Sequence, residues 1–345
     1  MLARDNGHVC ICGIGARTPL GLDAPFSAAA VRCGISALQF HPACVDKAGE
    51  PMRVAGDAEM DPWLPAADRI ATLLRAAVAE AMNGLSKIRR GARMPFLIGL
   101  PEPRPGLPAD LAESLTTRIR SEFAPTILCT GHAAGLMAIE QGARLIASGK
   151  APVCLVGAAD SYLNPETLEW LDATGRLSSS ENRNGFPPGE AAGACLLATT
   201  AVARSHGLPI LAQIASTATT VERIPIRSQA VCIGEGLTVA IKAATAPLGN
   251  ERIAATYCDL NGERYRNEEW VYALLRVQEA FVDHAYVSPA DCWGDVGAAS
   301  GALFAALAIT AAQRGYSRGP SSLLWAGSES GYRSAVALIV PETEG

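Results

Sequence analysis

The residue best placed to do chemistry is His132, which follows a predicted strand directly. The run at residues 126–128 is apolar and β-branched, and Thr130-Gly131 breaks it into a helix whose first turns contain mostly small residues. A side chain at such a helix start lies close to free N–H groups and to the positive end of the helix dipole, which stabilise an anion or a thiolate. His132 is therefore a candidate nucleophile or base. A buried, hydrogen-bonded histidine is the interpretation we favour.

Cys129 lies three residues before His132, and a cysteine beside a histidine can act as an activated nucleophile. On a strand, however, an odd separation directs two side chains to opposite faces. We therefore do not expect Cys129 to be catalytic.

Two further polar groups have simpler interpretations. Glu190, within the glycine-rich GEAAG, is predicted to be a structural acid that holds a turn, with the glycines serving backbone conformation. Arg264, Arg266, Glu268 and Glu269 are predicted to form a solvated helix start, with a partner surface as the alternative.

The composition predicts a soluble, cytoplasmic protein with a large core. Its 345 residues are 49% hydrophobic and 18% charged, with a formal net charge of −5 and no basic stripe, which argues against nucleic acid as a partner. Residues 301–312 form the longest mostly apolar run, shorter than the about 18 residues of a membrane span, and no signal-like N-terminus is present. The cysteines lack CxxC pairs, so we expect reduced core thiols and no metal or cofactor.

The small helix that begins near His132 needs elements to position it, and the first half of the chain supplies alternating strands and helices. Residues 8–22 are predicted to form an opening strand that runs into a glycine-rich turn. Further strands are predicted near residues 94–99, 126–128, 151–160 and 194–199, and helices near 24–34, 67–85, 109–123 and 165–173. The turn GIGARTPLG at 13–21 is not a dinucleotide-binding fingerprint, because the third glycine and the later acidic residue are missing.

The second half repeats this plan. Strands are predicted at 210–215 and 254–260 and helices at 236–248 and 268–281, followed by a short strand, a glycine turn and a second helix that begins with small residues. Two final strands lie within 321–341. The repetition predicts two duplicated βαβα halves, 1–205 and 206–345, that form one compact body with two buried helices back to back.

The order of motifs resembles that of the β-ketoacyl-acyl-carrier-protein synthases, the condensing-enzyme branch of the thiolase superfamily. RNGFPPGEAAG at 183–193 is similar to the family's R-D-G-F-x-x-G-E-G-A-G. TGHAAG at 130–135 takes the place of T-A-C-A-S-G, and GDVGAASG at 294–301 that of G-H-x-x-A-A-S-G. The opening turn at 13–21 resembles the family's first strand and turn. The resemblance implies an α/β, thiolase-like αβαβα layered fold.

The family's catalytic groups do not accompany these motifs. The resemblance places His132 at the nucleophilic cysteine, and Asn261 and Asp295 at the two histidines. Ala290 takes the place of a lysine, and residues 330–333 match the family's glycine-rich oxyanion turn only loosely. An acylimidazole hydrolyses readily, and Asp295 would oppose the negative charge that develops in decarboxylation. The resemblance thus implies a degenerate triad with no catalytic residue for condensation.

Three functions follow from this comparison. The first is a non-catalytic adaptor or co-chaperone that binds another protein, set among type VI secretion effectors and their chaperones. The second is an inactive, chain-length-factor-like partner of a condensing enzyme, as a homo- or heterodimer. The third is an acyl-thioester enzyme with altered chemistry that uses His132 and Asp295. We favour an adaptor in the secretion setting, because the segment at 100–125 is short and predicts a narrowed acyl tunnel.

Overall fold

The computed structural model describes residues 7–83, 93–226, 228 and 230–341. Within these ranges nine strands form one mixed sheet in the order β5-β4-β6-β7-β1-β8-β11-β10-β9, and β2 and β3 form a separate pair. The strands are β1 (Val9–Arg17), β2 (Gln39–Val45), β3 (Pro51–Val54), β4 (Met94–Leu100), β5 (Phe123–Cys129), β6 (Val153–Ser161), β7 (Glu190–Thr199), β8 (Ala212–Val221), β9 (Ala255–Cys258), β10 (Ser321–Gly327) and β11 (Tyr332–Ile339).

The sheet consists of two similar parts that meet at β1 and β8, where Cys10 lies opposite Gln213 and Ile11 opposite Ala212. The order β4-β6-β7-β1 on one side corresponds to β9-β10-β11-β8 on the other, and β5 is an additional strand at the edge of the first part. The predicted short strand after residue 281 is wrong as a strand, because only a bridge between Val287 and Tyr257 forms before Pro289 starts a helical turn. The division into halves at residue 205 stays a prediction.

Helices cover both faces of the sheet and fill its middle. They are α1 (Ala24–Arg32), α2 (Ala66–Ala81), α3 (Leu111–Arg118), α4 (Ala134–Ala147), α5 (Pro165–Ala173), α6 (Thr200–His206), α7 (Glu235–Thr245), α8 (Arg264–Val277), α9 (Ala290–Trp293) and α10 (Ser300–Gln313). Helix α2 packs on β1 and β7, and α7 packs on β8 and β11, while α4 and α10 lie between the two parts of the sheet. This is the αβαβα layering that the sequence predicted.

The two central helices touch because both present glycine at the crossing. A Cβ added to Gly301 would lie 2.5 Å from the backbone nitrogen of Leu136, and one added to Gly135 would lie 3.0 Å from the carbonyl oxygen of Ala298. Helix α10 is buried all round, as expected of a helix that is apolar on every face. The close contact brings the two helix starts, and the turns before them, side by side.

Several element boundaries differ from the sequence predictions. Helix α3 ends at Arg118 instead of near 123, because β5 already begins at Phe123. Helix α8 begins at Arg264, four residues earlier than predicted. Helix α2 ends at Ala81, earlier than the predicted end at Leu85, a residue that itself lies outside the described ranges. Among the residues that are described, no helix is both long enough and apolar enough to cross a bilayer.

Candidate functional site

His132 lies in a single 3-10 turn, Gly131–Ala133, which joins β5 to α4. Ser328, in the turn between β10 and β11, holds this 3-10 turn in place. Its hydroxyl accepts a hydrogen bond from the backbone N–H of Ala133 at 2.9 Å and donates one to the carbonyl of Thr130. Sequence reasoning did not find Ser328, since nothing local distinguishes it from other turn serines.

The three positions assigned to the degenerate triad meet in space. The His132 Nε2 atom lies 3.0 Å from each carboxylate oxygen of Asp295. The Asn261 side-chain amide donates to Asp295 Oδ2 at 2.6 Å and to Glu263 Oε2 at 3.1 Å. All three side chains are buried. The structure therefore assembles a His–Asp–Asn cluster from β5–α4, from the end of β9 and from the turn before α10.

The motif at 183–193 explains how Asp295 is positioned. The backbone N–H of Asp295 donates to the carbonyl of Pro187 at 2.7 Å, and the carbonyl of Asp295 accepts from the N–H of Gly189 at 2.8 Å. The Gly297 N–H adds a third contact, to Asp295 Oδ1 at 2.8 Å. The glycine-rich motif thus holds the cluster through its backbone.

The Asp295 carboxylate is held ionised, although burial disfavours its charge and acts to raise its pKa. The adjacent His132 ring, Arg266 and the Asn261 amide outweigh burial and keep the Asp295 pKa well below its usual range. Burial also disfavours the charged form of His132 and acts to lower its pKa. The negative charge of Asp295 has the larger effect, so the pKa of His132 is raised. The pair is therefore an imidazolium–carboxylate ion pair at mildly acidic pH.

Behind the cluster lies a network of buried charges. Arg266 donates to Asp259 Oδ2 at 2.7 Å and to Glu263 Oε2 at 3.3 Å, and Arg176 donates to Glu263 Oε1 at 2.7 Å. Since Glu263 also accepts from Asn261, the network contacts the cluster directly. Opposite charges that satisfy one another are the condition for keeping so many ions out of water.

The prediction of a solvated start for α8 is half wrong. Arg264 and Glu268 form the expected exposed pair, with Nε and Oε1 2.6 Å apart. Arg266 and Glu269 are instead buried, because the helix face that carries them packs against the ends of β9 and β10. Glu269 accepts from Arg333 at 2.7 Å.

Glu190 is a buried structural acid at the start of β7. It accepts from Arg69 at 2.8 Å, from the Ser161 hydroxyl at 2.8 Å and from the Asp57 N–H at 2.9 Å. These partners lie on α2, at the end of β6 and after β3. Glu190 therefore joins three elements, where the sequence suggested a single turn.

A cleft of about 300 Å³ opens beside His132. The loop after β4 covers one side of it: Arg104 donates to Asp160 Oδ1 at 2.6 Å and stacks 4.0 Å above the Tyr162 ring, and Glu102 accepts from the Ser330 hydroxyl at 2.5 Å. Charged side chains thus line the cleft, which suits an acyl chain poorly. His132 borders the cleft but is only 3% exposed.

Cys129, at the end of β5, is exposed. The neighbouring protein still removes part of the water around its sulfur, and this partial burial raises the pKa of the Cys129 thiol and favours the unreactive form. In the part of the chain that the structure describes, it makes no hydrogen bond to His132. The arrangement offers no Cys–His pair.

One set of side chains approaches a metal-ligand geometry. Ligand atoms of Glu222, Cys232 and Glu269 lie within 4.8 Å of one another. Glu222 already accepts a hydrogen bond from the Gly236 N–H at 2.8 Å, and Glu269 accepts one from Arg333. The two carboxylates are thus held by the protein's own donors.

The sequence was compared with known families and proteins. Residues 124–203 match the β-ketoacyl synthase N-terminal domain. Putative polyketide beta-ketoacyl synthase 1 of Streptomyces cyaneus is 26% identical over 197 residues, which is 53% of this chain and 46% of that protein. The protein of the same description from Streptomyces halstedii is 31% identical over 124 residues, covering 32% and 29%. The chain matches less than half the length of these relatives.

Solved structures match over almost the whole chain. The ishigamide ketosynthase/chain length factor has a TM-score of 0.74 at 20% identity, covering 97% of this chain and 99% of that one. The ketosynthase ApeO in complex with its chain length factor ApeC, from Xenorhabdus doucetiae, gives 0.77 at 17% identity, covering 99% and 100%. The ketosynthase–carrier complex AntDE:AntF gives 0.79 at 16% identity, covering 98% and 100%.

Fold and sequence together define a β-ketoacyl-synthase-like protein. The sequence match lies in the part that contains β5, α4, β6 and β7, and therefore includes the turn of His132. The thiolase-like fold extends over the remainder of the chain.

Proposed function

We propose that this chain is a non-condensing, protein-binding subunit with the ketosynthase fold. The observation that supports the proposal is the contact of His132 Nε2 with both oxygens of Asp295 at 3.0 Å. The position that the family's nucleophile would take thus holds an ion pair, in which the imidazole of His132 is bound to Asp295. The protein retains the turns that build this site while replacing the groups that would use it.

Condensation has three requirements that this cluster does not meet. It needs a thiolate to carry the acyl group, and His132 stands in its place. It needs donors where an enolate develops, and Asn261 donates to Asp295 instead. Asp295 itself would place a negative charge beside that enolate. A single replacement could leave a variant enzyme, whereas three together remove the reaction.

A partner of a condensing enzyme is the setting that the relatives favour. Two of the structural neighbours are described with a chain length factor, and one as a ketosynthase with its carrier protein. Strand β5 is the outermost strand of the sheet and pairs within the described residues with β4 alone. Its free edge offers backbone groups to a second subunit. We infer a heterodimer through β5 in the cytoplasm.

A second candidate is an adaptor in type VI secretion, in which the ketosynthase fold would be kept to bind an effector or its chaperone. None of the relatives named for this chain is described as a secretion component, so this candidate ranks second. The third candidate is an acyl-thioester enzyme that uses the His132–Asp295 pair. It ranks last, because the charged lining of the cleft beside His132 suits an acyl chain poorly.

The experiment is size-exclusion chromatography with light scattering, on the chain alone and with ketosynthases, carrier proteins and effectors encoded near it. Thr126→Arg places a charge at the exposed edge of β5, and Glu181→Lys places one at an exposed site outside that edge. We expect a specific complex that Thr126→Arg abolishes and Glu181→Lys leaves intact. A tight homodimer that binds none of these proteins and hydrolyses acyl thioesters through His132 would favour the enzyme instead.

A further inference from the structure

A second cleft, also of about 300 Å³, lies between the end of α1, β9 and the loop after α10. It shares no lining residue with the cleft beside His132. We call it the arginine–tyrosine cleft, after Arg32, Tyr257, Tyr286, Tyr316 and Arg318. Neither the fold comparison nor the His–Asp–Asn cluster gives it a role.

The charge in this cleft has one sign. Among the residues that the structure describes, its lining contains two arginines and no aspartate or glutamate. The Arg32 guanidinium lies 4.0 Å above the centre of the Tyr316 ring. Arg318 contacts Asp283 at 3.3 Å, but both side chains are more than half exposed, so this pair holds Arg318 weakly. An anion entering the cleft meets two guanidinium groups, and it competes for one of them, Arg318, with the exposed carboxylate of Asp283.

The other lining side chains would suit the body of such a ligand. Burial, and secondarily the nearby Tyr316, raises the pKa of Tyr257 to about 12, so its hydroxyl remains a hydrogen-bond donor at neutral pH. Ala28, Val31 and Leu307 supply apolar surface. The Arg32–Tyr316 stack adds a flat face, on which a planar ring would pack favourably.

We propose that the arginine–tyrosine cleft binds a small organic anion that carries a planar ring, such as an aromatic carboxylate or a nucleoside phosphate. The anionic group lies between Arg32 and Arg318, and the ring packs against the tyrosines and the apolar wall. This site is independent of the proposed partner function, because it lies outside β5 and outside the His132 cleft.

The test is fluorescence titration of the full chain with anilinonaphthalene sulfonate, with uncharged phenylnaphthylamine as the matched neutral probe. We expect one saturable site for the anionic probe and at least about tenfold weaker binding of the neutral one. Arg32→Gln and Arg318→Gln should each weaken the anionic probe by about tenfold. Arg183→Gln, at an exposed arginine outside the cleft, should leave it unchanged.

Competition separates the two ligand sources. Displacement of the probe by benzoate but not by adenosine monophosphate assigns a carboxylate, and the reverse assigns a phosphate. Circular dichroism melting of each variant shows that the fold is intact. Equal binding of the charged and neutral probes, or unchanged binding in the Arg32→Gln, Arg318→Gln double variant, would overturn the proposal.

Discussion

His132 Nε2 lies 3.0 Å from both carboxylate oxygens of Asp295, across 163 positions of sequence. The same carboxylate also accepts from the Asn261 amide and from the Gly297 N–H. Its oxygens are therefore occupied by the protein, in a site that water hardly reaches. An ion pair with this many internal partners holds two turns and a strand end together.

Removing the charge of Asp295 tests this structural role. Asp295→Asn keeps the shape but leaves His132 without its buried counter-charge, so we expect the free energy of unfolding to fall by about 3 kcal/mol. Urea denaturation at pH 6 measures it. Asp291→Asn, at an exposed aspartate four residues earlier, should change stability by less than about 0.5 kcal/mol. Equal stabilities of the two variants would contradict the ion pair.

The pH dependence of stability reports the protonation of His132. Because its pKa is raised in the folded protein, its stabilisation is complete below the unfolded value of about 6.5 and is lost as pH rises through the folded pKa. Because the pKa of Asp295 is lowered in the folded protein, its stabilisation is complete above the unfolded value of about 3.9 and is lost only in stronger acid. Both contributions are therefore complete between about pH 4 and 6.5.

Comparing wild type with His132→Gln isolates this contribution, since titration of other groups, such as His41 with its lowered pKa, is common to both proteins. We expect the difference in unfolding free energy to be largest near pH 6 and to shrink towards pH 9. A difference that stays constant over this range would mean that His132 is neutral throughout.

Restoring the missing nucleophile should not restore condensation. His132→Cys supplies a thiol, but the Asn261 amide still donates to Asp295, and Asp295 still carries a negative charge in place of a donor. Malonyl thioesters should therefore remain intact. Intact-mass spectrometry after incubation with acyl-CoA measures acylation, and carbon dioxide release measures decarboxylation. The wild type should form no stable adduct. Condensation by the single variant would show that the cluster is still a working site.

The layers of the fold could be predicted because local patterns encode them. The apolar run before His132, the small residues of α4 and the second run at 297–301 each signal their element in a few residues. The buried charges could not be predicted. Arg266 and Arg264 are alike in the sequence, and only the packing of α8 against Asp259 and Gly327 distinguishes them. The same holds for Ser328, whose partners lie about two hundred residues away.

The crossing of α4 and α10 gives a prediction about packing. A methyl group on Gly301 would lie 2.5 Å from Leu136 N, which is backbone and cannot move without shifting α4. Gly301→Ala should therefore lower the free energy of unfolding by about 1–3 kcal/mol, even though alanine favours helices. Thermal unfolding measures it. The exposed Ser148→Ala, just after α4, serves as the control and should stay within about 0.5 kcal/mol of wild type.

The start of α8 provides a matched pair of arginines in one helical turn. Arg266→Gln leaves Asp259 and Glu263 short of a buried cation, so we expect a loss of about 3–5 kcal/mol in unfolding free energy. Arg264→Gln removes only an exposed i,i+4 pair with Glu268, and its effect on the free energy of unfolding should be too small to measure. Helix propensity changes little between arginine and glutamine, so the difference isolates burial. The charge of Arg266 also lowers the pKa of Asp295, so Arg266→Gln should raise that pKa. The loss of stability in acid should then begin at a higher pH than in the wild type. An unchanged acid limb in a folded Arg266→Gln protein would separate the charge network from the His–Asp–Asn cluster and show that the two are independent.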